Sequence, residues 1–329
     1  MKNTSPQTYE KKPCRADLSQ DILPQYQRTF SSPQGEFHFH EDYELFLFLD
    51  GKADIFVEQS RYMLERGSLL AFHSSEVHRA APDPSLPYER LVVHFHPRVI
   101  HSLPLENCRL LSFFLGRRPG EKNAVLLKGE ELEDYLHTGI KLFTTMQEKP
   151  SCWEAEALSY LLQLLAMANR AFEKALSLPQ KRPLSPFVEE AMEEIAHSLS
   201  SPLTVRELAR RLHVDASYLN HRFREQTGAS LYHYILMKKI ALAKTLLSQG
   251  ATVTGACEGA GFGDCNNFSR TFKKYVGITP GKYGQLYRRG GRNIACSDNG
   301  YPAGERREFG TVKLLRFSAP FTLFLAGNA

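Results

Sequence analysis

Three rhythms of apolar and polar residues succeed one another along the 329-residue chain. From Phe37 to Phe95 short apolar and aromatic runs (Tyr43 to Leu49, Ala53 to Val57, Gly67 to Phe72, Leu91 to Phe95) alternate with turn signals such as Asp50-Gly51 and the prolines Pro82, Pro84 and Pro87. That pattern predicts an antiparallel barrel or sandwich. Beyond Pro97 the period lengthens, and Leu158, Leu161, Leu162, Leu165, Ala168 and Phe172 recur at helical spacing. Such a stripe must be buried, either on its own barrel or on a second copy of the chain. Leu178 to Pro186 holds three prolines in nine residues and reads as a linker. The expected organisation is an arm over 1–35, a barrel over 36–97, a helical extension over 98–177 that could serve dimerisation, a linker over 178–186, an all-α domain over 187–289, and a poorly ordered tail over 290–329.

The all-α block contains an internal repeat. DASYLNHRFREQTG, from Asp215 to Gly228, matches DCNNFSRTFKKYVG, from Asp264 to Gly277, at an offset of 49 residues. Each window opens on Asp, places an apolar residue four later (Leu219, Phe268) and Phe eight later (Phe223, Phe272), and closes on Gly. Asp caps a helix N-terminus, the apolar pair faces a core, and Gly takes the left-handed conformation that ends the helix. A shorter helix precedes each window. The first begins at Thr204 with Glu207 as a capping box, and a tight turn at His213-Val214 follows it. Two short helices joined by a tight turn describe a helix-turn-helix, present here twice. Leu231 to Ser248 reads as a connecting helix with Ile235, Ile240, Ala243 and Leu247 inward. The first helix of the second motif, VTGACEGAG, holds Gly255 and Gly259, each costing about 1 kcal/mol relative to Ala.

Charge sharpens this division. The net +5 is unremarkable, but residues 1–180 carry 20 Lys/Arg against 24 Asp/Glu, whereas residues 181–292 carry 17 against 9. A basic block behind an acidic one is the asymmetry of a nucleic-acid reader attached to something else. No apolar run approaches the roughly 20 residues needed to cross a bilayer. The N-terminus lacks the apolar stretch of a signal peptide, and the six cysteines include no CxxC pair. A reducing cytoplasm and no membrane partner are expected.

Residues 184 to 288 resemble the DNA-binding domain of the AraC/XylS family of transcription regulators. The resemblance is carried by LTVRELARRLHVDASYLNHRFREQTGASLYHYI and by GFGDCNNFSRTFKKYVGITPGKY. It implies that the second helix of each motif enters the major groove of double-stranded DNA, the two about 34 Å apart. Ser217, Asn220 and His221 would read bases in the first motif, and Cys265, Asn266, Ser269 and Arg270 in the second. Arg224, Lys273, Lys274 and Lys282 would grip phosphates, while Leu219, Phe223, Phe268 and Phe272 belong to the core.

Seven of the twelve histidines fall between residues 38 and 101. His38, His40 and Glu44 are separated by even numbers and share one face of an extended strand. With Gly51 and a downstream His78 they form an HxH(x)3E(x)6G layout that resembles the cupin fold, a small double-sheet barrel. His38, His40, Glu44 and His78 are the candidate ligand-binding set, and three imidazoles with a carboxylate suit Fe, Mn, Ni or Zn. His73, Ser75 and Ala81 depart from the second cupin motif, so no metal or cofactor is expected. Arg61, Arg79, Arg90 and His94 are further polar candidates, although His94 and His96 read first as surface or hydrogen-bonded core residues.

The combined expectation is a multi-domain α and β protein with a cupin-like β-barrel, a helical extension and a double helix-turn-helix domain. It would be a non-enzymatic, sequence-specific transcription regulator responding to a small-molecule effector. By resemblance it would be an activator, acting through RNA polymerase as a homodimer. A metal-dependent cupin enzyme fused to a DNA reader and a barrel that only dimerises are the alternatives.

Overall fold

In β2 (Tyr43–Gly51) successive side chains enter two different cores. Tyr43, Leu45, Leu47 and Leu49 pack towards the helices of the N-terminal half, and Phe46 and Phe48 pack towards a second sheet. β5 (Ser68–Phe72) and β7 (Tyr88–Phe95) divide in the same way. A strand covered on both faces reads as a continuous apolar run, which is how β2 reads. The computed structural model describes residues 17–30, 35–74, 76–104, 109–174 and 184–290. The expected linker lies outside these up to residue 183, and so does the tail beyond residue 290.

The larger sheet is antiparallel in the order β1–β7–β2–β5–β8, with β1 spanning Ile22–Thr29 and β8 Ala124–Leu126. The smaller sheet is β4–β3–β6, formed by β3 (Ala53–Val57), β4 (Ser60–Met63) and β6 (His78–Pro82). Two corrections to the expected boundaries follow. The barrel begins inside the assigned arm, where α1 (Leu18–Asp21) leads into β1, and it ends inside the assigned helical extension, at β8. Both are edge strands, half-buried and short of apolar alternation, so their pattern is weak. The segment around His38 and His40 is extended but pairs only through a single bridge from His38 to His78.

After α2 (Arg98–His101) and α3 (Ser112–Leu115), the long helices α4 (Gly129–Glu148) and α5 (Trp153–Lys174) pack as a pair on the larger sheet. Leu161, Leu165 and Ala168 are fully buried in the core they share with β2 and β7. The α5 stripe thus packs on its own barrel through these three, with Leu158, Leu162 and Phe172 half-buried beside them.

The C-terminal domain comprises α6 (Pro186–Ser198), α7 (Val205–Arg211), α8 (Ala216–Thr227), α9 (Leu231–Ser248), α10 (Val253–Gly259), α11 (Cys265–Val276) and α12 (Pro280–Gly290). The caps fall where the repeat places them. Asp215 accepts from the backbone N–H of Ser217 and Tyr218, and Asp264 from those of Asn266 and Asn267, while Gly228 and Gly277 end the helices at positive φ. Glu207 completes only half of the capping box, since its carboxylate pairs with Arg210 and Arg211. No described helix is long and apolar enough to cross a membrane.

α9 joins the two motifs. Its buried Lys239 donates to the carbonyls of Gly261 (2.7 Å), in the turn of the second motif, and Leu203 (3.3 Å), at the entry to the first, and burial lowers the pKa of this amine. Gly261 has φ +68°, and a Cβ there would stand 2.2 Å from the Ser201 carbonyl oxygen and 2.4 Å from that of Leu199. Only glycine allows this approach. Gly261→Ala should therefore destabilise the domain by about 2–4 kcal/mol, seen as an earlier urea transition by circular dichroism. An unchanged midpoint would refute the tight junction.

Candidate functional site

The barrel brings a carboxylate and a ring of imidazoles together. The register of β2 and β7 sets Glu44 directly opposite His94, and the 36–41 segment and β6 supply His40 and His78. Glu44 Oε2 lies 2.7 Å from His40 Nε2, 3.1 Å from His94 Nε2 and 3.4 Å from His78 Nε2. The His38 ring packs 4.4 Å from that of His78. All four predicted residues are thus gathered, and His94 joins them. The sequence signal for His94 was present in its parity along β7, but only the β2–β7 register identifies Glu44 as its partner.

The tautomers have a chemical consequence. His40 Nδ1 faces the Asp42 carbonyl at 2.7 Å, His78 Nδ1 that of Glu76 at 2.9 Å, and His38 Nδ1 that of Glu36 at 3.0 Å. A carbonyl only accepts, so each Nδ1 carries the proton. Burial pulls the pKa of His40 down to about 4 and of His38 down to about 3, which leaves both rings neutral with Nε2 a bare lone pair. Burial pushes Glu44 up, but His94, His40 and His78 outweigh it and hold the carboxyl well below its usual range. With Nδ1–H spent on a carbonyl, His40 Nε2 and Glu44 Oε2 at 2.7 Å share either a proton or a cation between them. His78 Nε2 is buried without a hydrogen-bond partner. Imidazoles held through Nδ1–H on a carbonyl, with Nε2 converging on a carboxylate, are oriented as metal ligands are. The ligand atoms of His40, Glu44 and His94 lie within 4.8 Å of one another and fit a borderline divalent ion. Between the sheets Phe46, Phe48, Phe72 and Tyr88 share an apolar core beside the cluster.

The cluster adjoins the C-terminal domain through one segment. His38 and His40 point to the cluster, whereas the alternating Phe37 and Phe39 pack with the helices. Phe37 meets Tyr234 edge-on at 4.8 Å, its carbonyl lies 2.7 Å from His233 Nε2, and Lys244 stands over the Phe39 ring and 2.8 Å from Glu41. Lys238 also pairs with the buried Glu58 of the barrel.

On the far helices the offset of 49 aligns two exposed stripes. Ser217, His221 and Arg224 on α8 correspond to Asn266, Arg270 and Lys273 on α11, and all six are exposed. Lys274 and Lys282 are also exposed, and Ser269 is half-buried. Two predicted readers are used internally instead. Asn220 Oδ1 accepts from the Leu231 backbone N–H at 3.3 Å, capping α9, and Cys265 is bonded to Cys257. Asn220 turns to α9 because the chain re-enters the domain there, and Cys265 turns inward because the buried Cys257 lies behind it. Tyr218 and Asn267, also related by the offset of 49, are exposed beside these stripes.

Comparison with known proteins agrees with this division. A model of the AraC-like ligand binding domain matches residues 29–165, and a helix-turn-helix domain model matches residues 208–285. The HTH-type transcriptional regulator YtdP of Bacillus subtilis is 38% identical over 95 residues, 29% of this chain and 12% of its own length. The HTH-type transcriptional activator RhaR of Pectobacterium atrosepticum is 27% identical over 202 residues, covering 57% of this chain and 70% of its own. Among solved structures, the C-terminal domain of the response regulator yesN from Fusobacterium nucleatum is 32% identical, with a TM-score of 0.28, covering 29% of this chain and 95% of that one.

The buried imidazoles give the barrel an acid limit. An unfolded chain protonates them near 6.5 and the folded chain only near 4 and 3, so unfolding takes up protons as the pH falls. Metal-free protein should lose stability as the pH drops below 6.5, measured as urea midpoints, and His40→Asn should flatten that slope. A midpoint independent of pH from 6.5 to 4 would contradict it.

Proposed function

The chain belongs to the AraC/XylS family of transcription regulators, and from that premise we propose that occupancy of the Glu44 cluster controls how α8 and α11 engage double-stranded DNA. One observation carries this reading. The 36–41 segment sends His38 and His40 to the cluster and Phe37 and Phe39 to α9, so a shift at one face is delivered to the other. A ligand that prefers one position of the segment shifts the balance between two arrangements of the DNA domain by its difference in affinity for them.

The exposed stripes support a division of labour on DNA. Asn266 suits adenine and Arg270 guanine, each by paired hydrogen bonds in the major groove. Arg224, Lys273, Lys274 and Lys282 suit phosphates. The effector is a small molecule carrying groups that satisfy a carboxylate and imidazole lone pairs. The tautomers favour a second form of the same reading, in which His40, Glu44, His94 and His78 hold a divalent metal ion that supplies a Lewis-acidic anchor. Neither form requires turnover. The name of RhaR supports activation, and with it contact with RNA polymerase. A homodimer would use a surface other than the fully buried Leu161, Leu165 and Ala168 of α5.

Arg270→Ala should lower affinity for the cognate site by about 1–3 kcal/mol and relax preference at one base pair, whereas Lys273→Ala should weaken all sequences alike and reduce the salt slope by about one. Full affinity and preference in Arg270→Ala would remove α11 as a reader. For the coupling, a thermal-shift screen of sugars, aromatic acids and divalent metals supplies the effector. Phe37→Ala should then retain effector binding and lose most of the effector's influence on DNA affinity. An undiminished influence would exclude the segment as the route.

A further inference from the structure

The second motif contains a covalent link that DNA recognition itself does not require. Cys257, fully buried in the middle of α10, is bonded to Cys265, the half-buried first residue of α11. Eight residues separate them in sequence, and their Cα atoms are 5.7 Å apart, inside the range of roughly 4.4–6.8 Å that disulfides occupy. Among the described residues Cys152 is a free, exposed thiol at the start of α5. The bond spans the 260–263 turn and ties the first turn of α11, where Asn266 stands, to the helix behind it.

The two motifs are held together differently. In the first, Glu207 on α7 pairs with Arg210 and Arg211, and Arg211 reaches Glu194 on α6. In the second, α10 has seven residues including Gly255 and a terminal Gly259, and it forms no ion pair among the described residues. It rests on Ala256 and Cys257 in the core and on the Thr252 cap. The cross-link adds a covalent tie between α10 and α11 to the burial of Phe268 and Phe272.

We propose that Cys257 and Cys265 are a dithiol–disulfide switch for hydroperoxide-class oxidants, whose oxidised state holds α11 in its DNA-reading position. This rests on the DNA-reading role of α11 given above. Cys265 is the attacking sulfur, since it is half-buried whereas Cys257 is fully buried, and an oxidant reaches it first. Its thiolate attacks the O–O bond of ROOH, an S–O bond forms, and the alkoxide leaves as ROH after taking a proton. The Cys257 sulfur then attacks the sulfenic sulfur, the S–S bond forms, and hydroxide leaves with the Cys257 thiol proton as water. Two thiols and ROOH become one disulfide, ROH and water, with two electrons passing from the sulfurs to the O–O bond. A dithiol reductant reverses the change by exchange.

The test uses the full-length chain and a duplex selected from a random library by the oxidised protein. Cumene hydroperoxide should link Cys257 to Cys265, identified by mass spectrometry of non-reduced peptides, while Cys152 remains outside the link. Oxidation should tighten binding to the duplex at least threefold by fluorescence anisotropy, and dithiothreitol should restore the weaker value. Amide exchange in α10 should slow on oxidation while α7 is unchanged. Cys265→Ser and Cys257→Ala should each lose the response to oxidant. Folding of either variant, checked by circular dichroism, suffices, because Cys265 is only half-buried. Two free thiols after treatment, or equal affinities in the two states, would overturn the switch and leave DNA reading standing. Absence of DNA binding in both states would overturn both.

Discussion

Successive side chains of an extended chain point in opposite directions, and the N-terminal half of this protein depends on that constraint twice. In β2 it sends alternate residues to a helix-covered core and to the space between the sheets, and it places Glu44 among aromatic rings. An ionised carboxylate there is tolerable only with polar partners, because burial without them costs several kcal/mol. Three imidazoles converge on it. In the 36–41 segment the same alternation turns two histidines to that carboxylate and two phenylalanines to the DNA-binding domain. The distance between the imidazole cluster and helix packing is therefore one residue.

The C-terminal domain obeys a different period and gains rigidity by other means. Its two motifs are copies with the same caps and the same buried pair, so each can fold its own local structure. What makes them one domain is α9, through Lys239 bonded to a carbonyl in the turn of the second motif and one at the entry to the first, and through the close approach at Gly261. A buried amine with two carbonyl acceptors and a backbone contact with no room for a Cβ leave little freedom in the spacing of α8 and α11. Fixed spacing is what a reader of two successive groove segments needs. α9 also carries His233, Lys238 and Lys244 to the barrel, so the element that sets the spacing is the one the sensor touches.

Legibility followed the strength of the local pattern. The caps Asp215 and Asp264, the closing Gly228 and Gly277, and the buried Phe223 and Phe272 were readable because helix signals lie within a few residues of one another. β1 and β8 were not, since an edge strand has one pairing partner and little need for apolar alternation. His38, His40, Glu44 and His78 were readable as a set from even spacing and resemblance. His94 was a weaker candidate because its partner lies fifty residues away across a strand register.

By itself the chain determined its two domains, the duplicated motif, the core faces and most of the exposed stripes, because all of these arise from period, capping and local charge. Tertiary structure alone decided that the α5 stripe packs on its own barrel and that Asn220 caps α9. It also decided that Cys265 is bonded inward and that the histidines point lone pairs at one carboxylate. The physical reason is common to these cases. A side chain's type sets what it can bond, but whether it faces solvent, a core or a partner depends on what distant segments bring against it.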